Sequence, residues 1–362
     1  MRGGASAIVG VVVLALGCAE VDVETQLQAS QSAVTSATSG GLVVPAYFSD
    51  DAAGEASFAE IAGSHQSDLP EIAIVNAGCD QTGRIDSRTG SCVIGGGPGG
   101  SRSTYVHDKI AFLRPRGIKV FGYVWVGPVT SGGQKSYRST ADIVADMHAW
   151  IDRYADAGNP QTVVNGFFFD AAYRSTAGAV AQAEYVAAQT AQIATWAGPA
   201  VGETGSAEGG RAIFNWGTTA GTYMQPYLDC VLRGDANGSA AWHYVVVQED
   251  AASNIMGDKL PTWARYRYNP AHFISIVHHA PASPSDLPAL LSALRASWNS
   301  AYAYVTDLPS GGDDSIYDAA PSPAVWQAQA SQGGTASFAY GSLDDVLASS
   351  CPAPSAATPA YP

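Results

Sequence analysis

Eight short runs rich in β-branched and aromatic residues, separated by stretches of helical period, set the strongest limit on what this chain can fold into. They cover 42–48, 71–77, 119–126, 164–171, 211–217, 244–250, 273–279 and 301–308. Between them, residues 57–65, 105–114, 140–157, 179–196, 222–232 and 287–298 carry apolar positions at helical spacing; the link after the sixth run is less clear. Several runs are apolar throughout, as in Gly166-Phe167-Phe168-Phe169 and Tyr244-Val245-Val246-Val247. Strands covered on both faces need that composition. Eight strands alternating with helices over about 270 residues predict an α/β fold, a single (β/α)8 TIM barrel. A doubly wound open sheet would need a phosphate-type glycine loop after its first strand, and none follows here. The segment Gly95 to Gly100 is glycine-rich but holds Pro98 and falls in a loop.

The two ends of the chain read differently from the middle. Arg2 precedes an apolar run, Ile8 to Leu16, too short to span a bilayer, so residues 1–18 are expected to be an export signal. The run closes Leu14-Ala15-Leu16-Gly17-Cys18, the pattern of a bacterial lipoprotein with Cys18 as the lipidated residue. Cleavage near Ala19 is the alternative. Residues 19–40, rich in Ser, Thr, Gln and Ala, are expected to form a flexible linker, 41–331 the catalytic barrel, and 332–362 an Ala/Ser/Pro-rich tail packed on it. Cys79, Cys92, Cys230 and Cys351 are an even set suited to an oxidising compartment, and four cysteines allow three pairings. A Cys79–Cys92 bridge would close a glycine-rich loop, with Cys230–Cys351 tethering the tail. A loop of the first size is worth roughly 3 kcal/mol. A formal charge of -14 argues against nucleic acid or an anionic membrane surface as partner. The expected protein is an exported monomer, at the outer membrane or cell surface or secreted, meeting a membrane only through a lipid on Cys18.

In a (β/α)8 barrel, function sits where the strands end. Those ends supply Tyr47, Asp50, Asp51, Asn76, Tyr123, Trp125, Asp170, Asn215, Trp216, Glu249, Asp250, His278, His279 and Asp307. Aromatic faces stack on sugar rings, and amides and acids bond hydroxyls. Glycoside cleavage needs two carboxylates, one to protonate the leaving oxygen and one to attack the sugar or activate water. Asp170 and Glu249 are the candidate catalytic pair. Asp170 follows three phenylalanines, so its competing role is a turn cap at the end of a greasy wall. Glu249 competes with Asp250, because neighbours on a strand point to opposite faces. Tyr47, Asp50, Asn76, Tyr123, Trp125, Asn215, Trp216, His278 and Asp307 are the candidate substrate-binding residues. His278-His279 lacks any supporting HExxH or Cys/His cluster, so no metal is expected and no cofactor is implied. There is no G-x-S-x-G elbow, and Gly312-Asp313-Asp314 lacks the spacing of a calcium loop.

These residues also resemble the spherulation-specific (spherulin-four-like) family, grouped with glycoside hydrolases of family 135 and related to the family 114 polygalactosaminidases. The resemblance runs from Val43 to Tyr317. Its pieces are Val44-Pro45-Ala46-Tyr47, Val75-Asn76, Gly97-Pro98-Gly99 and Gly117-Ile118-Lys119-Val120-Phe121-Gly122-Tyr123-Val124, then an Asp142-Ile143 helix ending in Trp150. Gly166-Phe167-Phe168-Phe169-Asp170, Phe214-Asn215-Trp216-Gly217, Gln248-Glu249 and Tyr304-Val305-Thr306-Asp307 complete it. The resemblance implies a (β/α)8 barrel that cuts α-1,4-linked galactosamine or N-acetylgalactosamine chains of exopolysaccharide from within. It places the family's catalytic Asp on Asp170 and its later Glu on Glu249. The chain departs from the pattern at Ala171, where the family has Glu, at Tyr47-Phe48-Ser49-Asp50 in place of Tyr-Pro, and at Asn215-Trp216-Gly217 in place of Asn-Pro-Gly. The loop with Cys79 and Cys92 reads as an insertion. Two other readings compete: a lipid-anchored glycan-binding protein on a catalytically weakened barrel, and a barrel hydrolase of another polysaccharide.

Overall fold

The computed structural model describes residues 34–65, 71–83, 96–131, 134–171, 211–217, 243–265, 267–281, 285–308, 316–331 and 334–340, with positions 225, 228, 232 and 283. The expected signal, Cys18, Cys92, Cys230, Cys351, the helix at 179–196 and most of that at 222–232 lie outside these residues.

Eight strands run parallel in one closed sheet: β1 (Val34–Ala46), β2 (Glu71–Val75), β3 (Lys119–Trp125), β6 (Gly166–Asp170), β7 (Arg211–Asn215), β8 (Tyr244–Ala251), β9 (Phe273–His278) and β10 (Tyr302–Val305). A short hairpin of β4 (Pro128–Ser131) and β5 (Gln134–Tyr137) follows β3. Closure is made where Gly41 and Leu42 of β1 pair with Tyr302 and Ala303 of β10. Each of the eight expected runs supplies one barrel strand, so the fold is a (β/α)8 barrel. Three of the expected helices are found as Ala52–Ser64, Thr104–Leu113 and Thr140–Tyr154, and Leu287–Ala296 is the helix expected before the last strand. Between β8 and β9 the described residues form two single-turn helices, Ala252–Ile255 and Thr262–Arg265, and a 3-10 turn, Pro270–His272, so the sequence there carries no long helical period.

Strand burial follows from this closure. β2 is buried at every position, and β6 is buried from Gly166 to Phe169. Inside the barrel, Tyr244 meets Phe121 and Tyr302 edge-on, with centroids at 6.4 and 5.3 Å. On the other face of β6, Phe169 stacks on Phe214 at 5.4 Å. The outer helix Thr140–Tyr154 docks through Trp150, whose indole N–H donates to the Tyr123 carbonyl at 2.8 Å. A buried aromatic of that size removes on the order of 150–250 Å² from water, several kcal/mol of driving force before entropy is counted.

One element departs from the expected boundaries. The 19–40 segment was expected to be a flexible linker, yet β1 begins at Val34. Residues Val34 to Gly40 pair antiparallel with β11 (Gly334–Tyr340), from Val34 opposite Tyr340 to Gly40 opposite Gly334. Ladder hydrogen bonds order a stretch whose composition alone did not suggest it. Cys79 is disulfide-bonded.

Candidate active site

Side chains alternate along a strand, so the residues two apart on β3 and β6 share the barrel's inner face. Tyr123 and Phe168 meet there at 5.6 Å, one step below Asp170. Asp170 closes β6 at the mouth and is half-buried. Its Oδ2 accepts a short hydrogen bond from the Tyr123 hydroxyl. Its Oδ1 accepts from Ala171 N at 2.7 Å and from Asn215 Nδ2 at 2.8 Å.

Glu249 is brought to the same point by an irregularity. The register between β8 and β9 shifts between Val246 and Gln248, which resets the alternation and turns Glu249 toward Asn215. The carboxylate accepts from Asn215 Nδ2 at 2.6 Å through Oε2, and from the Tyr317 hydroxyl at 2.6 Å through Oε1. Asp250 goes elsewhere: its Oδ1 accepts from Ala251 N at 2.6 Å and from Asn254 Nδ2 at 2.9 Å. The competition between the two neighbours is resolved in favour of Glu249.

A single amide therefore bridges both acids. Asn215 has two N–H bonds, one for each carboxylate, and the amide cannot be flipped because its Oδ1 accepts Gly217 N at 2.9 Å. Gly217 has φ 69°, a left-handed conformation that glycine adopts at little cost, and its carbonyl accepts Glu249 N at 3.2 Å. The Asn215-Trp216-Gly217 turn thus ties the bridging amide to the backbone of the second acid. Since both carboxylate oxygens bond the same nitrogen, at 2.8 and 2.6 Å, they lie no further apart than those lengths laid end to end, about 5.4 Å.

The electrostatics follow from that packing. Burial, then the Glu249 charge, push Asp170 up to about 6, against the pull of Tyr123, Ala171 N and Asn215. Two like charges at this separation repel, which is why the neighbouring carboxylate adds to the rise at Asp170. Burial and the two carboxylates also hold the Tyr47 and Tyr123 hydroxyls well above their usual range, and burial and Glu249 do the same for Tyr317, so all three stay protonated. Every partner named for the two acids is a neutral donor.

The remaining predicted residues divide. Tyr47 stands edge-on to Tyr123 at 5.5 Å and feels both acids. Asn76 lies beside Tyr123 near Gly96, and its Oδ1 accepts Gly97 N at 3.0 Å and Gly78 N at 3.1 Å. Trp125 is half-buried and pairs in register with Asp170. Trp216 is only 3% exposed, so its ring is covered by protein. Asp50 is exposed near Tyr105, and Asp307 Oδ1 accepts Ser322 N at 2.9 Å. His278 lies with its Nδ1 2.5 Å from His279 Nδ1, at the end of β9 near Asp250; His279 has φ 52°. Ala171, where the resemblance calls for Glu, has φ 54° and its Cβ points at Gly127, where any further Cβ would come within 2.5 Å. Among the described residues no group of three His, Cys, Asp or Glu side chains is placed to hold a metal ion.

Tyr317 is the residue that reasoning from strand ends missed. It follows the last barrel strand by a dozen residues, and nothing in a Ser/Gly/Asp-rich loop signals that one tyrosine in it turns back to the mouth.

The amide-bridged carboxylates thus lie at the carboxyl ends of the strands of a (β/α)8 barrel, where such barrels carry their active sites. The chain belongs to the spherulation-specific family 4, whose model matches residues 95–332. Among solved structures it is similar to Aspergillus clavatus Sph3 in complex with GalNAc, with 15% identity and a TM-score of 0.52, over 81% of this chain and 98% of that one. It also matches the glycoside hydrolase domain of PelA from Pseudomonas aeruginosa, at 12% identity and a TM-score of 0.36, over 74% and 94% of the two chains. No curated protein matches it.

Proposed function

We propose that this protein is an endo-acting glycoside hydrolase that cuts α-1,4-linked galactosamine or N-acetylgalactosamine polymers by a retaining, two-carboxylate mechanism. The observation that carries the reading is the Asn215 bridge, which keeps the nearest oxygens of Asp170 and Glu249 within about 5.4 Å. Retaining enzymes hold their acids about 5–5.5 Å apart, whereas inverting ones leave roughly 6.5–9.5 Å for a water. The GalNAc bound in the structure of Sph3 supports an amino sugar as substrate.

Asp170 is assigned as nucleophile and Glu249 as acid/base. Three donors converge on Asp170 against two on Glu249, which favours the first as the anion. In this scheme Glu249 protonates the leaving oxygen while an Asp170 oxygen bonds to the anomeric carbon. Water, deprotonated by Glu249, then releases the sugar. Tyr47, Asn76, Tyr123 and Trp125 line the sugar site beside the acids. An exported, monomeric protein anchored through Cys18 fits the apolar leader, and the disulfide at Cys79 supports an oxidising compartment.

Ala171 favours a second reading, a glycan-binding protein on the same barrel. Turnover of acetylated and deacetylated galactosamine polymers separates the two. Oligosaccharide release by the wild type, and its loss in Asp170→Asn and Glu249→Gln, is expected for the enzyme. Saturable binding with no product would establish the binding protein instead.

A further inference from the structure

One corner of the acid pair is held by a residue that no barrel strand supplies. Tyr317 precedes the helix Pro323–Ser331, and its hydroxyl donates to Glu249 Oε1 at 2.6 Å. Its segment is fastened at two backbone nitrogens: Ala320 N donates to Ser57 Oγ at 3.0 Å, and Ser322 N to Asp307 Oδ1 at 2.9 Å. The Tyr317 ring stands edge-on to Tyr47 at 5.8 Å and 86°, and Tyr47 stands edge-on to Tyr123 at 5.5 Å and 89°. Tyr123 in turn donates to Asp170. Two tyrosines, each bonded to one acid, are therefore separated by a third ring that acts as a spacer. Edge-to-face rings have a preferred separation, so moving one displaces the next.

We propose that Tyr317 is a positioning residue for the acid pair: it fixes the plane of the Glu249 carboxyl and, through Tyr47 and Tyr123, the distance of Glu249 from Asp170. Its link to turnover rests on the glycosidase reading above; its link to the charge state of the pair does not. Glu249 has one oxygen bonded to Asn215 and the other to Tyr317, so the loss of either donor frees the carboxyl to rotate. The sequence placed no function on Tyr317. Asp307, expected to face sugar, serves here by holding the Tyr317 segment.

The test removes one oxygen atom. Tyr317→Phe keeps the ring and its contact with Tyr47. Tyr304→Phe is the control, because Tyr304 packs 6.3 Å from Tyr317 and has no bond to either acid. Carboxyl titration of the full-length protein, followed by infrared difference spectra or by 13C NMR of labelled Asp and Glu, reads the pair without any substrate. In Tyr317→Phe the pair is expected to titrate about one pH unit higher, the worth of one hydrogen bond to a charged group. Tyr304→Phe should superimpose on the wild type. Where the enzyme turns over polymer, kcat falls about tenfold in Tyr317→Phe with KM held, and the basic limb of the pH profile moves by the same unit. Ser57→Ala, which loosens the segment without touching an acid, is expected to give a smaller shift of the same sign and stands in if Tyr317→Phe fails to fold. A Tyr317→Phe titration identical to the wild type, or an equal shift in Tyr304→Phe, would overturn the proposal. Absence of turnover in the wild type would count against the glycosidase reading while leaving the titration to decide on Tyr317.

Discussion

Two acids sit at opposite ends of the barrel, and burial lifts both, with different consequences. Glu71 opens β2 at the amino-terminal end of the strands and is 1% exposed. Its Oε2 lies 3.2 Å from His65 Nδ1, and its Oε1 has no hydrogen-bond partner among the described residues. Burial alone pushes it up to about 8, so at neutral pH it is mostly the uncharged acid. Asp170 closes β6 at the other end. There three donors work against burial and a neighbouring charge, and the balance falls at about 6. Burial by itself leaves an acid uncharged at neutral pH, while three donors offset burial and a second carboxylate far enough to keep Asp170 mostly ionised there. Perturbed groups gather at functional sites for this reason, and of these two only Asp170 has donors that hold its ionised form.

The two acids should differ most in activity. Asp170→Asn and Glu249→Gln should each lower kcat roughly 10²–10⁴-fold on galactosamine polymer, while Glu71→Gln leaves it unchanged. A catalytic loss in Glu71→Gln equal to that in Asp170→Asn would erase the distinction between the two ends.

Stability comes next, and the pH windows differ. Both folded values are raised, so each acid's stabilisation is full below its unfolded value and is lost as pH rises through the folded one. For Glu71 the window runs from 4.5 to about 8. Glu71→Gln should therefore gain about 3–5 kcal/mol relative to wild type between pH 4.5 and 8, seen as a widening gap in urea midpoints. For Asp170 the window is 3.8 to about 6. Asp170→Asn should gain about 1–3 kcal/mol there and nothing more at higher pH. A variant that is inactive yet more stable is the mark of a site built against folding. The smallest effect is at the turn. Gly217→Ala places a Cβ at φ 69° and is expected to cost about 1 kcal/mol, with a modest fall in kcat as the Asn215 bridge loosens.

Much of this was legible in the sequence. Runs such as Gly166 to Phe169 carry both their strand character and their double burial in composition, so eight strands and a closed barrel could be read directly. Asp170, Asn215, Tyr123 and Tyr47 were legible because strand ends in such a barrel converge on one mouth. Glu249 was legible only as one of two neighbours, since the register shift at Val246 and Gln248 that aims it inward has no sequence mark. Asp50 and Asp307 also lie at strand ends, but the first is exposed and the second holds a backbone N–H, choices made by tertiary contacts. Tyr317 and the Val34–Gly40 ribbon were not legible at all. One comes from a loop without period, and the other is ordered by pairing with β11 rather than by its own side chains.

Of all the measurements, the configuration of the first sugar end released, followed by 1H NMR from the start of digestion of an α-linked galactosamine polymer, bears most directly on the amide-bridged pair. Acids this close leave no room for water between themselves and the sugar, so the α-anomer should appear first and mutarotate later. Initial release of the β-anomer, or a wild-type protein that releases nothing, would contradict the account.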